Sequence, residues 1–167
     1  GGVVYALLNR SAVDESIESQ LILEALRRSD PDIAGASDVE IGEYLSGYSD
    51  KSLKGIVSNV KGIYHELLWV ENYNAHANGS RAEIFNATNH PGVDVKIVDT
   101  ETGEVIEQFQ LKATDNVSYV NDASARYTDV KILATEEVAR KVPGVDSSGY
   151  QNAVLTEDTD GYIRDLS

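Results

Sequence analysis

The chain has 167 residues, with 14 Lys and Arg against 28 Asp and Glu, a formal charge of −14, 41% hydrophobic residues and no cysteine. That length and apolar content suit one domain with a sizeable core and exclude wholesale disorder, and the lack of Cys excludes a disulfide scaffold, a zinc finger, an iron–sulfur site and a thiol nucleophile. The charge argues against holding nucleic acid by bulk electrostatics, which needs Lys and Arg at phosphates, and no apolar run approaches the ~18 residues of a membrane span.

The chain contains no methionine and opens Gly1-Gly2-Val3, so it reads as a piece cut from a longer polypeptide or as one processed after synthesis. Residues 11 to 48 read as helical. Ser11 with Asp14 resembles a capping box, Val13, Ile17, Leu21 and Ala25 recur at helical spacing, and Pro31 ends the helix. Ser37-Asp38-Val39-Glu40 is a stronger capping box and opens a second helix with Ile41 and Leu45 inward. Gly47 and Asp50 mark a break and a new start.

Residues 51–72 carry the clearest helical pattern. Leu53, Ile56, Val57, Val60, Ile63, Tyr64, Leu67 and Leu68 keep i, i+3, i+4 spacing, while Gly55, Asn59, Gly62 and Glu66 fall on a different side. Two glycines inside a helix cost about 1 kcal/mol each relative to alanine, so they are expected to allow a close approach of backbone or ligand. Glu66 sits at the border of the apolar arc.

After a turn-rich stretch from Asn72 to Ser80 the period changes from 3.6 to 2. Strands are expected over 82–87, 93–98, 105–113 and 129–134, with a hairpin loop at Thr100–Glu104. A helix is expected over 116–126, and another helix or turn from Thr135 to Ala139. From Pro143 onward the chain is rich in Gly, Ser and Asp. The resulting organisation is an N-terminal helical annex (1–50), a core (51–142) and an acidic, loosely packed tail (143–167).

The chemistry gathers on the hairpin. A three-residue loop pairs Asp94 with Gln110, and a four-residue loop pairs it with Phe109; the first register sets Asp94, Gln110 and Lys112 on one face. An anionic oxygen, an amide carbonyl and a cation then lie together, and Glu66 of the preceding helix offers a second carboxylate. Oxygen donors of this kind suit a hard divalent cation, Mg²⁺ or Mn²⁺. Such a cation lowers the pKa of bound water and polarises a phosphodiester, with Lys112 orienting the nucleophile or stabilising developing charge.

The order of elements is a helix with Glu66, a strand, His90-Pro91-Gly92-Val93-Asp94 opening a second strand, a hairpin, Gln110-Leu111-Lys112, a helix and a strand. Over residues 60–135 this resembles the PD-(D/E)XK nuclease superfamily, in the variant with Gln in place of the third-strand acid. The resemblance implies an α+β or α/β fold with a restriction-endonuclease-like αβββαβ core around a central mixed sheet. It also implies metal binding by Asp94, Glu66 and the Gln110 carbonyl, with Lys112 as catalytic helper. Such domains occur in restriction and repair enzymes, phage and mobile-element proteins, and toxin modules.

Against this stands the reading of Asp94, Gln110 and Lys112 as the solvated face of an ordinary hairpin, and of Glu66 as a surface residue. His65, His76 and His90 show no i, i+4 metal spacing and read as structural or surface residues. The nine tyrosines suit half-buried packing, or stacking on bases. The leading expectation is a metal-dependent nuclease acting on DNA, cytoplasmic or secreted as an effector, with weak affinity as an isolated piece. Its cationic contacts would be Lys54, Lys61, Lys96, Lys112, Arg126, Lys131, Arg140 and Lys141, and the remainder of a larger chain or a protein partner would deliver it. The alternatives are an inactive nuclease-like module and an acidic, DNA-mimicking domain that binds a basic protein.

Overall fold

Caps and apolar stripes set the helices. A computed structural model describes residues 17–85 and 93–167. The cap at Ser11 and Asp14, Val13, the end of the first expected strand at 86–87, and His90-Pro91-Gly92 lie outside the described residues. The protein mixes helices with one five-stranded mixed sheet, and it divides into two units. One comprises the described residues up to Tyr64 together with Thr156–Ser167; the other is His65–Leu155.

In the first unit, helix α1 covers residues 17–29. Its buried stripe is Ile22, Leu23, Ala25 and Leu26, while Ile17, expected inward, is exposed. The apolar phase is therefore set by Ile22 and Leu26, one turn apart, rather than by Ile17 and Leu21. A short 3-10 turn, Pro31–Ile33, follows, capped by Asp30, which accepts from Asp32 N at 2.9 Å. Helix α2, Asp38–Ser46, starts on the full capping box: Ser37 Oγ accepts from Glu40 N, and Glu40 accepts from Ser37 N, each at 3.3 Å. Ile41 and Leu45 are buried.

Helix α3, Asp50–His76, buries Leu53, Val57, Val60 and Tyr64 in this unit. A Cβ at Gly55 or Gly62 would meet nothing within 4 Å, so no backbone among the described residues approaches either glycine closely. That approach occurs instead at Gly42, where a Cβ would lie 2.7 Å from the Leu166 carbonyl oxygen.

In the second unit the sheet runs β1 (Ser80–Ile84), β2 (Val95–Asp99), β3 (Val105–Lys112), β4 (Lys131–Ala134) and β5 (Asp146–Ser147), in that spatial order. The first three strands form an antiparallel meander; β4 and β5 join in parallel. Ala82, Val95, Ile97, Phe109, Leu111 and Leu133 form one core face, and Trp69, Val70 and Tyr73 of α3 pack on it. On the other face Ile132 and Ala134 pack with Val120 and Ala123 of helix α4 (Val117–Arg126) and with Val138, Val142 and Val145. Val138 lies in the short helix α5, Glu136–Ala139. At the outer side of β1, Asn74 of α3 donates to Ala82 O at 3.1 Å and accepts from Ala82 N at 2.8 Å.

The acidic end, expected as a loose tail, forms helix α6, Asn152–Leu166, with Leu155, Thr159 and Ile163 buried. Its start is fixed by Glu137, whose two carboxylate oxygens accept from Asn152 N at 2.8 Å and Ala153 N at 2.9 Å. Burial pushes the Glu137 carboxyl up, but these N–H groups outweigh it and the pKa is lowered below its ordinary 4.5. The stabilisation is therefore present above pH 4.5 and is lost as pH falls through the depressed folded value. Glu137→Ala should cost about 1 kcal/mol, the usual value of a helix N-terminal acceptor, in denaturant melts at pH 7. That difference should shrink in melts repeated below the folded pKa.

Candidate functional site

The hairpin register decides what faces what. The loop Thr100–Gly103 has four residues, closed by Asp99 N donating to Glu104 O at 2.8 Å. Gly103 takes a φ of +75°, which suits glycine, and Asp99 Oδ1 accepts from Glu101 N and Thr102 N. Taken alone, this loop would set Asp94 opposite Phe109. The register shifts at Ile97/Val98, however, so that Val98 pairs with Val105 and Ile97 with Glu107. Ile106 is the extra residue of this bulge. Beyond it Lys96 opposes Gln108 and Val95 opposes Phe109; Asp94 lies just past these pairs, its N–H donating to Phe109 O at 2.8 Å and its Oδ2 accepting from Leu111 N at 2.9 Å, so that it flanks Gln110. A β-bulge thus does what a shorter loop would have done.

Strand alternation then places Asp94, Gln110 and Lys112 on the face covered by α4, since Phe109 and Leu111 point to the α3 face. This face is not the solvated hairpin surface its polarity suggests. Gln110 is only 4% exposed, and among the described residues its Oε1 has no hydrogen-bond partner. Asp94 is half-buried, its Oδ2 accepting from Leu111 N at 2.9 Å. Burial raises the Asp94 pKa above 3.8, against the opposing pull of the Leu111 N–H and the Lys112 charge. The carboxylate takes up the Leu111 donor just before β2 begins, so it has a structural role as well as charge.

Lys112 is half-buried at the end of β3, and Nζ donates to Tyr119 Oη at 3.2 Å. The connection to α4 is pinned in three places. Thr135, fully buried, donates to Thr114 O at 2.7 Å and accepts from Thr114 N at 3.1 Å. Thr114 Oγ1 accepts from Asn116 N at 3.0 Å, and Asn116 Oδ1 accepts from Tyr119 N at 3.1 Å as the N-cap of α4.

Glu66 is half-buried on α3, one turn before Trp69 and Val70. It therefore belongs to the helix layer on the opposite face of the sheet from Asp94, Gln110 and Lys112. Among the described residues, no group of three His, Cys, Asp or Glu side chains is gathered as for a metal ion. No protein-family model, curated protein or solved structure matches the chain.

Several cations expected to meet phosphate are already ion-paired. Lys96 lies 3.7 Å from Glu83, Lys131 3.1 Å from Asp146, and Arg140 3.5 Å from Glu136. His65 is buried, with Nε2 2.6 Å from Ser148 Oγ and its ring edge-on to Tyr150. His76 is exposed, with Nδ1 2.9 Å from Asn72 O. From the sequence Tyr119 stood only among the tyrosines suited to half-buried packing or base stacking, and Thr135 and Thr114 carried no mark. Asn116 at the start of an amphipathic run was the available signal for the cap that holds Tyr119. Among the described residues, no helix is long and apolar enough to cross a membrane.

Proposed function

We propose that the chain is a metal-dependent nuclease domain that hydrolyses phosphodiester bonds, of DNA in the first instance. The observation that carries this reading is the buried carbonyl oxygen of Gln110, unpartnered among the described residues, which lies between Phe109 and Leu111, the two residues that Asp94 bonds, and two residues before Lys112. An orphaned buried acceptor costs about 1–3 kcal/mol, so its retention beside a carboxylate suits a ligand that binds to oxygen. The element order supports it too: a helix, an antiparallel three-strand meander, a helix and a parallel strand fit the αβββαβ core of the PD-(D/E)XK superfamily.

The donors fit Mg²⁺ or Mn²⁺, since both offer hard oxygen. Asp94 and Gln110 would hold the cation, and the Asp94 carboxylate has lone pairs beyond the one that takes Leu111 N–H. Glu66, on the other face, is the more distant member of the set. When bound, the cation lowers the pKa of coordinated water and polarises the phosphodiester. Lys112 supplies positive charge where negative charge develops on the phosphoryl oxygens. Net −14 and the ion-paired lysines keep free-solution affinity low, so a larger chain or a partner would deliver the domain to its substrate.

The test is cleavage of supercoiled plasmid and of single-stranded DNA with Mg²⁺ or Mn²⁺. Wild type should cleave, and Lys112→Ala should lose about 10²–10³-fold in rate while keeping the metal-induced rise in melting temperature. Inactivity of wild type on every substrate would favour the second reading, a nuclease-like module without chemistry. The Asp94 bond to Leu111 N, the place of Glu66 on the other face and the lack of a gathered acidic cluster among the described residues support that reading.

A further inference from the structure

We infer that Tyr119 is a positioning residue for Lys112, holding its ammonium over the face that carries Asp94 and Gln110. The inference deepens the phosphodiesterase reading and rests on it. Lysine is a flexible four-carbon stem that ends in a point charge, so it acts on a substrate only if something fixes its end. Two contacts do so here. Nζ lies 3.2 Å from Tyr119 Oη and 4.9 Å from the ring centroid. The hydroxyl and the ring of one side chain thus both meet the ammonium.

A holding group is useful only if it is itself held. Tyr119 is the third residue of α4, and its backbone N–H is fixed by the Asn116 cap. That cap is fixed to Thr114, and Thr114 to the buried Thr135 at the end of β4. The sheet that carries Lys112 and the helix that carries Tyr119 are therefore joined by a continuous run of hydrogen bonds. Tyr119 is nonetheless 51% exposed. A tyrosine kept for core packing would be buried, whereas this one spends its hydroxyl on the lysine.

Tyr119→Phe removes the oxygen and keeps the ring. The experiment uses the whole chain, ¹³C,¹⁵N-labelled at lysine, with Lys112 signals assigned through their loss in Lys112→Arg. Plasmid cleavage with Mg²⁺ is measured on the same samples. In Tyr119→Phe the Lys112 ¹³Cε shift should move and its Nζ protons should exchange faster. kcat should fall roughly ten-fold, the loss expected for a hydrogen bond to a charged group, at unchanged KM and unchanged Mg²⁺ midpoint. Unchanged Lys112 signals would overturn the inference, whatever the activity. So would altered signals with an unchanged kcat in a cleaving wild type. Altered signals in a chain whose wild type cleaves nothing would overturn it through the nuclease reading, leaving the contact a structural one.

Discussion

Asp94→Asn is expected to abolish metal-dependent cleavage while leaving the protein at least as stable as wild type at neutral pH. Asparagine keeps an oxygen for Leu111 N–H but has no charge for a cation. Loss of several kcal/mol of transition-state stabilisation corresponds to a rate loss of roughly 10³-fold or more. The stability half follows from the direction of the pKa shift. Burial raises the Asp94 pKa in the folded protein above 3.8, so folding disfavours the ionised form. The associated stability is full below pH 3.8 and is lost as pH rises through the raised folded value. Above that value wild type carries a standing cost from which the Asp94→Asn variant is free. Asp94→Ala differs, because it strands the Leu111 N–H, and should lose about 1–3 kcal/mol. Melts of the three proteins at pH 7, with and without Mn²⁺, separate the effects. Metal should raise the melting temperature of wild type and leave Asp94→Asn nearly unmoved. Cleavage that survives in Asp94→Asn would remove Asp94 from the site.

The second large effect concerns the acidic C-terminal segment. Ile163→Ala should destabilise the protein by about 2–5 kcal/mol, the usual range for truncating a fully buried aliphatic side chain. Val154, on the same helix and 47% exposed, supplies the control: Val154→Ala should fall within about ±0.5 kcal/mol. Urea denaturation of both variants decides it. Equal, negligible effects would mean that this helix contributes little to folding.

Much of the architecture could be read from local chemistry. Ser37 with Glu40, the long apolar stripe from Leu53 to Leu67, and the Thr100–Glu104 turn each carry a short-range signal, and each marks an element in the structure. What could not be read depended on distant partners. The stripe Leu155, Thr159, Ile163 has helical spacing, but its acidic and Gly161 neighbours diluted it, and burial of a threonine leaves no hydropathy signal. The Ile106 bulge left no mark either, because an extra residue in one strand shows itself only against the other strand. The polarity of Asp94, Gln110 and Lys112 suggested a solvated face. Only the packing of α4 over the neighbouring Ile132 and Ala134 shows that Gln110 is enclosed. Identity and spacing named these residues; their burial, on which the proposed chemistry depends, came from tertiary structure.

Asn74 has a consequence for how the molecule meets copies of itself. β1 is the outermost strand of the meander, and such an edge is a template onto which a foreign strand can be laid, the first step towards fibrils and swapped dimers. By offering an amide to both main-chain groups of Ala82, the helix imitates that strand at the middle of the edge. At its middle residue the edge is therefore closed from within the chain, where a strand from a second copy would otherwise find both main-chain groups open.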